Sequence, residues 1–203
     1  MIAAILLAAG QSRRMGAQNK LLLPFGKKKI IEHLVDTLLE VPNLELTVVL
    51  GHESERLRTV LAPRSVRTAF NAQHLQGMTS SIQTGVRASA ISVDGYLICL
   101  SDLPLIRVDE YHRIVEGFQI QLQHNPQCIL VPTYQGQKGH PILFSAYYRS
   151  HILNHPEPEG CKGIIQAHQK QVYFQSMAMP HILRDMDTPE DYQNLPAVPP
   201  SNT

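Results

Sequence analysis

Short apolar runs alternate with stretches of helical spacing along almost the whole chain. Residues 3–8, 46–50, 67–70, 96–100, 129–132, 141–144 and 172–175 form runs of strand length, several rich in β-branched and aromatic side chains. Between them, residues 30–39, 54–61, 79–88, 108–123, 145–153 and 163–169 read as helices. In the first helix Ile30, Ile31, Leu34, Val35, Leu38 and Leu39 recur three and four residues apart, which makes one face apolar.

Runs such as YLICL at 96–100 are apolar at every position. A strand with both faces buried is expected where helices cover both sides of a mostly parallel sheet. The alternation predicts an α/β fold: three layers, Rossmann-like, with a mostly parallel central sheet. Ligands of such sheets bind beyond the carboxyl ends of the strands, so the loops after Ala8, Phe70 and Leu100 should share one crevice. The pattern predicts one domain over residues 1–195 and a disordered tail, PAVPPSNT, over 196–203.

Composition narrows the picture. The chain has 203 residues, 43% hydrophobic and 17% charged, and can bury a sizeable core. Its net charge of +1 draws it neither to nucleic acid nor to an anionic membrane. The first apolar run is too short to span a bilayer and has no basic segment before it, so the cytoplasm is the expected location. Cys99, Cys128 and Cys161 fit no zinc or disulfide pattern, and the first two read as core residues.

The segment MIAAILLAAGQSRRMGAQNKLLLP concentrates the candidate chemistry. A buried strand breaks into Ala8, Ala9 and Gly10, which allow close approach of a ligand to the backbone. A polar loop carrying Arg13, Arg14, Gly16 and Lys20 then supplies positive charge, which suits a triphosphate. The spacing fits neither a Walker loop nor the dinucleotide fingerprint, because Gly16 precedes Ala17 and positions 12 and 15 are Ser and Met. An ordinary strand-to-helix turn with exposed basic residues is the plainer alternative.

Asp102 follows an apolar strand in the turn SDLPL, either as an oxygen ligand for Mg²⁺ or as a turn residue. Asp185 and Asp187 precede Thr188-Pro189, where acids also serve as ordinary caps. GMTSSIQTGV begins with the flexible Gly77 and a Ser/Thr-rich helix start whose amides and hydroxyls can bind a base, ribose or phosphate, or in which Thr79 or Ser80 serves as an ordinary helix cap. Lys138 and His140 sit in a glycine-rich turn before a strand. His151 and His155 lack a third ligand, and Lys27, Lys28 and Lys29 read as a solvated turn.

Taken in order, LLAAGQSRRMGAQNKLLLPFG, GMTSSIQTGV, SDLPL, GQKGHPILF and DMDTPEDY resemble the MobA-like nucleotidyltransferases, and within them the molybdenum cofactor cytidylyltransferases. The resemblance runs from residue 2 to about 194. It implies that Leu7, Ala8, Ala9, Gly10, Arg14, Gly16 and Lys20 cradle the nucleotide together with Gly77, Ser80 and Ser81. Arg14, Lys20 and Asp102 are implied as catalytic, and Asp102 and Asp187 as ligands of Mg²⁺. Ala9 favours CTP, since relatives with Leu-Ala-Gly-Gly tend toward GTP.

The implied reaction moves the nucleotidyl group of CTP, or second GTP, to the phosphate of molybdopterin, with pyrophosphate leaving. A molybdoenzyme receiving the product is an implied partner. A sugar-phosphate nucleotidyltransferase or a non-catalytic cofactor-binding maturation protein would share these features, while an oxidoreductase is disfavoured by the missing fingerprint. The chain departs from its relatives at Leu103, where many have Gln. It departs again at residues 160–165, GCKGII, where relatives often carry Asp and Arg in a Gly-Asp-x-Gly-Ala-Arg segment.

Overall fold

The computed structural model describes residues 1–16 and 18–196; beyond Pro196 the expected tail lies outside the described residues. Strand β1 (Ile2–Ala8) is buried throughout and divides its side chains between two cores. Ile2, Ala4, Leu6 and Ala8 face one cluster, whereas Ala3, Ile5 and Leu7 face the other. Helices α1 (Ile30–Leu39), α2 (Ser54–Leu61) and α4 (Val108–His124) close the first through Leu34, Leu57 and Ile114. Helices α3 (Met78–Ala88), α5 (Arg149–Leu153) and α6 (Lys162–Ala167) close the second through Ile82, Ile152 and Ile164. The period of two in one strand thus produces the three layers.

The remaining strands are β2 (Pro24–Phe25), β3 (Lys28–Lys29), β4 (Leu44–Leu50), β5 (Arg67–Phe70), β6 (Gly95–Leu100), β7 (Ile129–Tyr134), β8 (Gln137–Lys138), β9 (Ile142–Ser145) and β10 (Val172–Ser176). The main sheet runs β10-β7-β9-β6-β1-β4-β5. All pairings along it are parallel except those of β9, which lies antiparallel between β6 and β7. The sheet is therefore mostly parallel, with the wholly buried β1 flanked by β4 and β6.

Two expected elements take a different form. The predicted helix 145–153 begins as a 3₁₀ turn, Ala146–Tyr148, before α5, and Ser145 itself ends β9. The buried Tyr148 ring, whose hydroxyl donates to the Gln127 carbonyl at 2.9 Å, holds that turn against the sheet. Residues 27–29 belong largely to the β2–β3 hairpin, where the Lys28 ammonium pairs with Asp36 at 2.7 Å. Cys99, Cys128 and Cys161 are free and buried. No described helix is long and apolar enough to cross a membrane.

Candidate active site

At the carboxyl ends of β1 and β6 lies a cavity of about 500 Å³. Leu7, Ala9, Gly10, Arg14, Lys20, Gly77, Ser81, Asp102 and Asp187 all contribute to its walls. Ala8 is fully buried in the core cluster behind them, while Gly16 and Ser80 also stand off the lining. Gln11, Ser12, Arg13, His74, Leu75, Met78 and Ser101 line the same space. Arg13 is legible in the sequence as one of the loop's basic residues, whereas the others lie beside the singled-out positions and their residue types carry no signal of their own.

The loop after β1 is shaped by local geometry. Ser12 takes the left-handed region at φ 51°, as does Gly16 at φ 70°, and residues 13–15 form one 3₁₀ turn between them. The Ser12 hydroxyl accepts the Lys20 amide at 3.3 Å. A second 3₁₀ turn, Lys20–Leu22, is capped by the Asn19 side chain, which accepts the Leu21 amide at 3.1 Å. These bonds fix where the Lys20 side chain starts, and it is only 13% exposed.

The acids come from two distant segments. Asp102 follows β6, and its backbone carbonyl accepts the Met186 amide at 2.8 Å, which draws the 184–187 segment across the strand ends. Met186 is buried in the core, so Asp187 emerges beside the cavity. Thr188 is the cap of the next helix, and its capping-box partner is a different acid. Asp191 accepts from the Thr188 amide at 2.7 Å and from the Thr188 hydroxyl at 2.8 Å, opening helix α7 (Pro189–Gln193). Asp187 is thereby left to face the basic residues, while Asp185 is exposed and outside the cavity lining.

The Lys20 ammonium donates to Asp187 Oδ1 at 2.8 Å and to the Met186 carbonyl at 2.9 Å. It stands 3.6 Å from Asp102 Oδ2. Arg14 donates to the other Asp187 oxygen at 2.7 Å from a largely exposed side chain. The two acids feel this arrangement differently. Hydrogen bonding from Lys20 holds the Asp187 carboxyl below its ordinary range despite partial burial. Burial pushes Asp102 up, and the nearby Lys20 charge offsets this only in part.

Among the described residues Asp102 Oδ1 is buried without a hydrogen-bond partner. An unpaired carboxylate oxygen beside a cavity and a second carboxylate suits a hard divalent cation that takes its other ligands from phosphate and water. Among the described residues no cluster of three or more His, Cys, Asp or Glu side chains is placed to hold a metal, His151 and His155 included. Lys138 and His140 lie outside the cavity lining, in and after the hairpin of β7 and β8. The Gly160–Ile165 departure sits at the start of α6 and packs against the cavity wall, where a Cβ on Gly160 would lie 3.1 Å from Met78 Sδ.

The sequence model of the MobA-like NTP transferase domain matches residues 4–172. The chain belongs to this family. Purine catabolism protein PucB of Bacillus subtilis (strain 168) is 30% identical over 199 residues, covering 93% of this chain and 92% of that protein. Nicotine blue oxidoreductase of Paenarthrobacter nicotinovorans is 27% identical over 160 residues, covering 75% of each. Among solved structures, a nucleotidyl transferase from Methanothermobacter thermautotroptrophicus superimposes with a TM-score of 0.81 at 22% identity, covering 95% of this chain and 94% of that one. That similarity establishes the MobA-like chain's three-layer nucleotidyltransferase fold.

Proposed function

We propose that the protein transfers the cytidylyl group of CTP to the phosphate of molybdopterin, with Mg²⁺ at Asp102 and Asp187. The observation that carries nucleotidyl transfer is the placement of Lys20 against Asp187 and near Asp102, at the wall of a cavity that Ala9 and Gly10 also line. CTP rests on Ala9 in Leu-Ala-Ala-Gly, and the acceptor rests on the family resemblance.

In this reading an oxygen of the acceptor's terminal phosphate attacks the α-phosphorus. A new P–O bond forms there, the α–β bridging P–O bond breaks, and pyrophosphate carries away the electron pair. The nucleophile is already anionic, so no side chain is needed as a base. Lys20 and Arg14 neutralise charge on the triphosphate, Arg14 through a fork suited to two phosphoryl oxygens. Asp102 and Asp187 hold the cation, which when bound supplies Lewis-acid polarisation of the phosphoryl oxygens. The backbone of Ala9 and Gly10, free of bulky side chains, admits the ligand to close range, so catalysis consists of positioning and charge stabilisation.

The deciding experiment measures Mg²⁺-dependent pyrophosphate release from CTP, GTP, ATP and UTP, with and without molybdopterin. Release that needs both CTP and molybdopterin is the expected result. Release with CTP and a sugar phosphate instead would move the acceptor and keep the reaction. No release in any combination would replace the enzyme with a cofactor-binding maturation protein.

A further inference from the structure

Behind the cavity wall a buried amide is fully committed. Asn71 follows β5 and is 3% exposed. Its Oδ1 accepts the Gln73 backbone amide at 2.9 Å, and since that amide can only donate, the orientation of the side-chain amide is settled. Both Nδ2 hydrogens are then directed at hydroxyls, to Ser80 Oγ at 2.9 Å and Ser81 Oγ at 3.0 Å.

The two hydroxyls differ in what remains to them. Ser80 returns its proton to the loop, with the Gln73 carbonyl at 3.0 Å and the Gly77 carbonyl at 2.9 Å. Ser81 Oγ accepts from Asn71, yet among the described residues its own proton has no acceptor. Ser81 is 5% exposed and lines the cavity. A nearly buried hydroxyl whose oxygen is taken by a fixed donor has one remaining option, to donate into the cavity.

The position within the sheet indicates what receives that bond. Asp102 follows β6 on one side of β1, whereas Asn71 follows β5, two strands away on the other side. Gly77, Met78 and Ser81 line the same cavity as Lys20 and Asp102, so a triphosphate with its phosphates at Lys20 and at a cation on Asp102 would have its nucleoside end directed toward α3. We propose that Asn71 is a positioning residue that fixes the Ser81 hydroxyl as a donor to an acceptor atom of the nucleobase. For cytosine, O2 and N3 offer such acceptors. This rests on the nucleotidyl-transfer reading and adds to it the polarity of one contact and the residue that imposes it.

The test is a double-substitution cycle on the full-length protein, read by calorimetric CTP binding with Mg²⁺ and by KM and kcat. Ser81→Ala weakens CTP binding and raises its KM about tenfold, the worth of one hydrogen bond, with kcat at saturating CTP within about twofold of wild type. Ser81→Thr, which keeps the hydroxyl, restores binding. Asn71→Asp retains the acceptor for the Gln73 amide but cannot donate, so the Ser81 proton turns back to it and CTP binding falls by a similar factor. Placed on Ser81→Ala, Asn71→Asp has little further effect. Asn71→Ala run in the same cycle keeps the test decisive if the charged variant does not fold.

Additive losses, or full CTP affinity in Ser81→Ala, would overturn the role of Asn71 while leaving nucleotidyl transfer standing. Wild-type protein that binds no nucleoside triphosphate in the presence of Mg²⁺ would overturn both.

Discussion

Lys20 Nζ lies 2.8 Å from Asp187 Oδ1, joining residues 167 positions apart in the chain. Lys20 reaches Asp102 from the same place, at 3.6 Å. One ammonium thus serves both acids and faces the cavity where a triphosphate would lie. Lys20→Ala and Asp102→Ala are each expected to lower turnover by about 10²-fold or more, the scale of losing one oriented electrostatic partner. Pyrophosphate release by the two purified variants checks this, and near-normal rates in both would remove the site assignment.

Both oxygens of Asp187 are engaged, one by Lys20 and the other by Arg14. A divalent cation at this carboxylate therefore competes with two resident cations until a triphosphate draws them away. Metal and nucleotide are expected to bind with positive coupling of at least about tenfold, and linkage makes the effect reciprocal. Free Mn²⁺ measured by electron paramagnetic resonance, with and without CTP, reads the coupling directly. Equal Mn²⁺ affinity in the two conditions would contradict it.

Much of this site was legible before folding was considered. The runs around β1 and β6 ended in small or turn-forming residues, and the parallel-sheet rule placed their loops on one crevice. That rule also put Asp102 at a strand end, where the cavity lies. What the pattern could not resolve was the choice between two uses of an acid. Asp187 and Asp191 both stand beside Thr188-Pro189, and only the hydrogen bonds show that Asp191 completes the Thr188 capping box of α7. Asn71 carried no signal because an Asn after a strand reads as an ordinary turn residue. Its importance comes from Ser80 and Ser81, which α3 brings to it from nine and ten residues away. The antiparallel β9 was equally hidden, since an apolar run fixes burial and says nothing of direction.

His140 gives the stability a pH dependence. Burial holds its imidazole down to about 4, and among the described residues Nδ1 has no hydrogen-bond partner. An unfolded histidine titrates near ~6.5. Between these values the unfolded chain binds the additional proton, so this group makes stability rise with pH from about 4 to ~6.5 and level off above. The whole shift corresponds to about 3 kcal/mol. Urea unfolding of wild type and His140→Gln at pH 5 and pH 7 isolates it. The variant should lose less stability on acidification, and identical pH slopes would show that His140 is not the group responsible.

Arg64 ties α1 to the end of α2. Its Nε lies 2.5 Å from Asp36 Oδ1, and Nη1 lies 3.0 Å from Glu32 Oε1, with the Arg64 side chain 15% exposed. Burial pushes Asp36 up, but hydrogen bonds from Arg64 and Lys28 outweigh it and leave the carboxyl below its ordinary range. A depressed carboxylate contributes stability that is present above about pH 4 and lost as pH falls through the folded value. Arg64→Met is expected to cost about 1–3 kcal/mol at pH 7, between exposed-pair and buried-pair values. The gap to wild type should narrow by pH 3 in denaturant titrations, and a gap unchanged with pH would mean that packing of the arginine stem carries the loss.

Gly85 sets how closely α3 approaches the sheet that carries the cavity. A Cβ built there would overlap Ile5 Cγ2 of β1 and come 3.1 Å from Val49 Cγ2 of β4, both in the buried core. Helix propensity alone favours Ala over Gly by ~1 kcal/mol at such an interior position. Overpacking of a filled core costs ~1–3 kcal/mol, and here the obstacles are branched side chains with little freedom to move. The clash should win, so Gly85→Ala is expected to destabilise by about 1–2 kcal/mol in urea unfolding. Since α3 also carries Ser81, the displaced helix should weaken CTP binding as well. A variant as stable as wild type, with unchanged CTP affinity, would show that α3 can shift outward without disturbing either the core or the site.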